Sequence, residues 1–199
     1  NVIFFCTLKA FRVTVLEYLM KFIAVLINYR FREKKMKKQI IIINGSGGVG
    51  KDTFVEYCSK YTKVLNISSV DKVKEAATVL AGWNGEKDEK SRKLLSDLKE
   101  IGIVYNDAPL KYICNMVEEF NHSDNELMFI HIRECEEIAK CQKVINANTL
   151  LVTNKNVPEI TSNHSDKEVK DYSYDYYIAN DGTLEELEQI AKNFVENFR

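Results

Sequence analysis

The chain has 199 residues, with 28 basic and 29 acidic side chains, a formal net charge of −1 and 45% apolar residues. That length suits one domain with a full core, and the composition is that of an ordinary globular protein. The even charge balance argues against a nucleic-acid-binding face, which usually shows as a basic domain. The five cysteines form no C-x-x-C pair and no metal-type cluster with the three histidines, so they read as reduced thiols of a cytoplasmic protein.

Residues 1–35 stand apart. Val13 to Ile27 is apolar but interrupted by Glu17 and Lys21. Thr14, Glu17, Lys21 and Asn28 fall at helical spacing and make one polar stripe. The run is too short and too polar for a convincing membrane span. Arg30, Arg32, Lys34, Lys35, Lys37 and Lys38 follow, which would suit an interfacial helix. No small-residue cleavage site marks it as a signal peptide. A non-native extension, an amphipathic helix and a membrane anchor remain open, and any membrane contact is expected only through this segment. Met36 precedes the first strand, so residues 36–199 are expected to fold as one domain.

From there the elements come in alternation. Gln39–Asn44 is a β-branched run of the kind found in central parallel strands. Gly45 to Gly50 follows, and then a helix with Phe54, Val55, Cys58 and Tyr61 on one face. Val64–Ser68 reads as a strand. Ser68 and Asp71 suggest a capping box for a helix through Ala81. After the turn Gly82-Trp83-Asn84-Gly85, Lys87–Ile101 reads as a helix with Leu94, Leu95, Leu98 and Ile101 inward. Pro109 opens another that buries Leu110, Ile113, Val117 and Phe120. Leu127–Ile132 is a strand, Glu134–Gln142 a short helix and Thr149–Thr153 a strand. Residues 154–171 are polar and loop-like. Tyr174–Ala179 is the last strand, where alternation explains the tyrosines better than base stacking does. Thr183 and Glu186 cap a final helix that buries Leu184, Leu187, Ile190 and Phe194. Strands alternating with helices imply an α/β fold, a parallel sheet with helices on both faces.

Gly45-Ser46-Gly47-Gly48-Val49-Gly50-Lys51 fits G-x-x-x-x-G-K between a buried strand and a helix, the context of a P-loop (Walker A). Glycines let successive N–H groups point at a phosphate, the helix N-terminus adds its positive end, and Lys51 adds a point charge. The residue after the lysine is usually Ser or Thr, whose hydroxyl binds magnesium. Here Asp52 stands there, followed by Thr53, and both are expected near the metal.

The string Gly50-Lys51-Asp52-Thr53 resembles the P-loop of phage-type deoxynucleoside monophosphate kinases, and is similar to that of animal phosphomevalonate kinases. Ser69 to Lys74 resembles the start of their substrate-binding helix. Asn163-His164-Ser165-Asp166 resembles their H-x-S-[DE]-like loop, and Asp175 to Thr183 the last strand and the turn beside adenine. The resemblance covers most of residues 36–199. It implies a three-layer α/β/α P-loop kinase fold with a five-stranded sheet of order 2-3-1-4-5. A helical insert would span about residues 81–120, and a lid about residues 154–170. It also implies ATP and magnesium as cofactors, and a small nucleotide as substrate.

The sequence departs from its relatives at two places. Their third strand often ends D-x-R, whereas this one ends His131-Ile132-Arg133; and the expected lid holds Lys155, Lys167 and Lys170 but no arginine. Positive charge around a transferring phosphoryl group must then come from Lys51 with Arg92 or Arg133. Lys74, Arg92 and Arg133 are expected to hold the acceptor, though Arg92 also reads as a solvated charge. Asp71 reads as a catalytic base, a substrate orienter or a helix cap. Asp181 and Gly182 are expected beside the adenine. The expected function is transfer of the γ-phosphoryl group of Mg-ATP to a (deoxy)nucleoside monophosphate. Another acceptor such as phosphomevalonate, or a regulatory nucleotide binder without transfer, are the alternatives. Monomer and homodimer are both open.

Overall fold

The computed structural model describes residue 20, residues 36–158, residue 169 and residues 172–199. The expectations for residues 1–35, and for the loop carrying His164, Lys167 and Lys170, lie outside the described residues. The chain divides into two units, and Lys37–Phe198 forms the one described below.

Among the described residues eleven elements follow in order: β1 (Gln39–Asn44), α1 (Lys51–Ser59), β2 (Val64–Ser68), α2 (Asp71–Ala81), α3 (Glu89–Asn106), α4 (Ala108–His122), β3 (Leu127–His131), α5 (Cys135–Gln142), β4 (Asn148–Thr153), β5 (Tyr176–Ala179) and α6 (Leu184–Glu196). The strands make one sheet of order β2-β3-β1-β4-β5, every pair parallel. This is the α/β architecture and strand order expected from the sequence. β1 is central and β-branched because helices cover both its faces. Ile41, Ile42 and Ile43 are fully buried.

One layer is α1 with α6, where Phe54 meets Phe129 of β3 and Phe194 of α6 edge-on, at centroid distances of 6.1 and 5.5 Å. The other layer is α4 with α5, whose Ile113, Phe120, Ile138 and Cys141 join Ile42, Ile67, Met128 and Ile130 in one core cluster. Lys38 fixes the end of α4: its ammonium donates to the carbonyls of Phe120, Ser123 and Asn125 at 2.5–2.8 Å. These are orphan acceptors of a helix terminus and the chain just beyond it. Among the described residues no helix is long and apolar enough to cross a membrane. Cys58, Cys114 and Cys141 carry free thiols. Burial pushes those of Cys58 and Cys141 up to about 12, which makes them inert.

Several local expectations change. α3 begins later and ends later than its periodicity suggests, because Asp88 caps it by accepting the Ser91 N–H at 2.7 Å. It packs chiefly on α2 and α4. Leu94, Leu95 and Leu98 are therefore only half-buried, and Ile101 is 64% exposed instead of inward. Leu184, expected in the core, is 61% exposed on the first turn of α6. Tyr61 lies beyond the end of α1, and Tyr177 is exposed on the edge strand. The Thr183/Glu186 capping box forms as expected. The Ser68/Asp71 box forms only in half: Asp71 accepts the Ser68 N–H at 2.7 Å, but the cap residue of α2 is Val70.

Candidate functional site

The site lies at the carboxyl edge of the sheet, where open α/β folds bind ligands. β1 leads straight into the loop Gly45–Gly50, and the loop into α1. Two glycines are demanded by the backbone. Gly45 has φ 142°, and a Cβ there would run into the Val152 carbonyl; Gly50, the α1 cap residue, has φ 96°, and a Cβ there would strike the Asn180 amide. No side chain caps the first turn of α1, which is the form of a helix start that receives an anion. The Lys51 ammonium folds back over the loop and donates to the Gly45 and Ser46 carbonyls at 2.5 and 2.8 Å.

Two asparagines that the sequence reading did not single out hold this loop. Asn44 is fully buried. Its amide donates to the Arg133 carbonyl at 3.0 Å and to the Tyr174 hydroxyl at 2.8 Å, and its oxygen accepts the Gly45 N–H at 2.7 Å. At the other end of the loop, the Asn180 amide donates to the Val49 carbonyl at 2.9 Å. An asparagine just before the first glycine was the only local signal for the first; the second is 131 residues away in sequence from its partner.

His131, at the end of β3, sits among the charges of Lys51, Asp52, Asp71 and Lys74. Burial pushes its pKa down to about 4, against the pull of Asp52, so it is neutral near pH 7. Its Nε2 lies 2.9 Å from the Asn66 Oδ1, an acceptor, and so carries the proton. Asp52 Oδ1 is 3.9 Å away from it. The Asp52 carboxylate is 94% exposed, and Thr53 is half-buried on the same turn of α1. Asp71 accepts both the Ser68 N–H and the Lys74 ammonium, the latter at 3.1 Å. The structure thus brings Lys51, Asp52, Asp71 and Lys74 around His131.

Arg133 follows at the same edge with an exposed side chain, and its carbonyl is tied to Asn44. Arg92 is not joined to this group: it is exposed on the first turn of α3, beside Asp88, whose carboxyl is held below its usual range chiefly by hydrogen bonds from Ser91, with the charges of Lys90 and Arg92 adding to them. Asp181 is engaged by the chain after β4. It accepts the Lys155 N–H at 2.8 Å, and its carbonyl accepts from Asn156 at 3.2 Å. Gly182 leaves room for the Glu186 carboxylate of the capping box. Asn180, Asp181 and Gly182 also line a cavity of about 360 Å³ against α6, a volume within the range of ligand pockets.

A second charged cluster was not foreseen. Lys99 of α3 donates to Glu134 and Glu137, each at 2.8 Å, at the start of α5. Burial, with Glu134 beside it, pushes the Glu137 carboxyl up to about 7 against the pull of Lys99. Burial acts the same way on Glu134, but Lys99 outweighs it and keeps that carboxyl below its usual range.

No protein-family model and no curated protein matches this chain. Solved structures do. A dephospho-CoA kinase from Campylobacter jejuni is 16% identical over 81% of this chain and 97% of its own, with a TM-score of 0.45. A thymidylate kinase from Ehrlichia chaffeensis is 12% identical over 80% and 99%, with a TM-score of 0.43. A tunicamycin resistance protein from Deinococcus radiodurans is 12% identical over 79% of this chain and 96% of its own, with a TM-score of 0.50. With that last protein the chain shares its fold.

Proposed function

We propose that this chain is a P-loop phosphotransferase that moves the γ-phosphoryl group of Mg-ATP to a small phosphorylated acceptor, a (deoxy)nucleoside monophosphate in first place. The observation that carries the reading is the strand–loop–helix unit Gln39–Ser59, with its demanded glycines, its uncapped helix start and Lys51 poised over the loop.

The loop amides and Lys51 would cradle the donor phosphates and stabilise charge that builds on the transferring group. The residues fit magnesium: Asp52 and Thr53 offer a carboxylate and a hydroxyl oxygen where the loop enters α1, the hard donors this ion takes alongside phosphate oxygens. Bound there, magnesium would neutralise phosphate charge. Lys74, steadied by Asp71, and Arg133 would meet the acceptor phosphate, with Arg92 reaching it from α3. In this reading Asp71 orients Lys74. The cavity beside Asp181 and Gly182 would take part of the donor nucleoside.

A second reading is a nucleotide binder without transfer. It is favoured by His131, buried and neutral where the resembling enzymes often carry an acid. A coupled ADP-release assay with Mg-ATP against a panel of nucleoside monophosphates and phosphomevalonate decides between them. Release stimulated by one acceptor supports transfer and names the acceptor. Tight Mg-ATP binding with no stimulated release supports the second reading.

A further inference from the structure

We propose that Asn180 is the positioning residue of the phosphate loop, setting the orientation of the Val49–Gly50 peptide. Its role as a phosphate device rests on the P-loop reading above; its effect on the loop itself does not.

Asn180 follows β5 and is anchored on both sides. Its backbone N–H donates to the Thr153 carbonyl at 2.7 Å, which fixes it against the end of β4. The next residue, Asp181, is tied to Lys155 and Asn156. From that base the side-chain amide reaches across to the Val49 carbonyl at 2.9 Å. It packs so closely on Gly50 that any Cβ there would collide with it, so the glycine and the asparagine fit as a pair.

The consequence follows from peptide planarity. No described peptide bond is cis. In a trans peptide the C=O and the following N–H point in opposite directions. Drawing the Val49 oxygen toward Asn180 therefore turns the Gly50 N–H away from Asn180, which on the P-loop reading is toward the phosphate. Gly50 is free to rotate, since glycine populates both signs of φ. Without the clamp the same peptide can turn over and offer a carbonyl oxygen to the anion. Asn44 fixes the entrance of the loop, and Asn180 its exit.

The test compares Asn180→Ala with Asn180→Asp. The alanine removes the donor. The aspartate keeps the shape but sets a carboxylate oxygen against the Val49 carbonyl, and should be the worse of the two. Amide hydrogen exchange at Gly50, measured without nucleotide, should be faster in both variants than in the wild type. Calorimetry should show Mg-ATP affinity about ten-fold lower in the aspartate variant, the scale of one lost hydrogen bond plus an unpaired buried group. The acceptor KM should stay within about two-fold of wild type, because the clamp touches only the donor loop. A merely structural role would lower the melting temperature and leave the ATP-to-acceptor contrast flat. Gly50 exchange equal to wild type in both variants overturns the clamp, as does undiminished ATP affinity in the aspartate variant. If the wild type itself does not bind Mg-ATP, the proposed function falls, and the exchange measurement alone judges the clamp.

Discussion

At the carboxyl edge of β1 the buried polar groups of the loop are matched by partners; along α2 and α3, Val79, Leu80, Ile101, Val104 and Tyr105 stand 64–89% exposed. The loop is specified by backbone demand: positive φ, close approach and hydrogen bonds that admit few side chains. The outer face of α3 is specified by little, since it packs on two helices and leaves its far side to solvent. One region should therefore fail sharply when touched, and the other should tolerate change.

The largest effect should come from the loop. Lys51→Ala should abolish the rise in melting temperature that Mg-ATP gives the wild type. An equal response in both proteins would remove the P-loop assignment and the contrast with it. Next is the buried side of α4. Phe120→Ala, at a fully buried ring, should lower stability by about 3–5 kcal/mol in urea denaturation.

Arg92→Lys and Arg133→Lys test how far the site extends along the edge. A planar guanidinium binds phosphate through two parallel bonds that lysine cannot reproduce. Each variant should lose about 1.5–3 kcal/mol of acceptor recognition, roughly ten- to a hundred-fold in kcat/KM, with ATP affinity unchanged. Because Arg92 is exposed and Arg133 lies at the edge, a silent Arg92 variant would confine the proposed acceptor site to the β3 end.

The Lys99–Glu134–Glu137 cluster gives a smaller and pH-dependent signal. The folded Glu137 carboxyl holds its proton up to about 7, while the ordinary value is 4.5. Between those values the folded state binds a proton the unfolded chain has released, so stability falls as pH rises through that window. The lowered Glu134 acts in the opposite sense, and its contribution is lost only as pH falls below the ordinary carboxylate range. Denaturation at about pH 5 and about pH 7.5 should show a loss on the order of 1–3 kcal/mol that Glu137→Gln flattens. An equal slope in both proteins would place the proton elsewhere. Smallest of all, Ile101→Ser should change stability by no more than about 0.5 kcal/mol. A larger loss would mean that the outer face of α3 is covered.

What was legible in the sequence follows the same division. β1, the loop and α1 were readable because each residue type answers a local demand: β-branched for a doubly covered strand, glycine for positive φ, lysine beside the loop. Thr183 and Glu186 were readable for the same reason. Ile101 was misread because helical periodicity identifies an apolar stripe without saying whether a partner covers it. Asn180 was passed over because its partner, Val49, is distant in sequence, and a hydrogen bond across the fold leaves no spacing to read. The raised Glu137 likewise depends on Lys99, brought to it only when α3 meets α5.

Asp107 ends α3 and starts α4 with a single residue at φ 58°, and Lys140 of α5 holds its carboxylate at 2.5 Å. No loop separates the two helices, so they share one phase. Adding or deleting a residue in α3 would rotate α4 by about 100° about its axis and swing Ile113 and Phe120 out of the sheet. A change of length in this stretch should therefore be tolerated best in the open turn at Gly82–Lys87. α3 is a lever of fixed length whose far end alone can be re-cut; on the proposed function, a different acceptor would be reached by lengthening that turn while the hinge at Asp107 stays as it is.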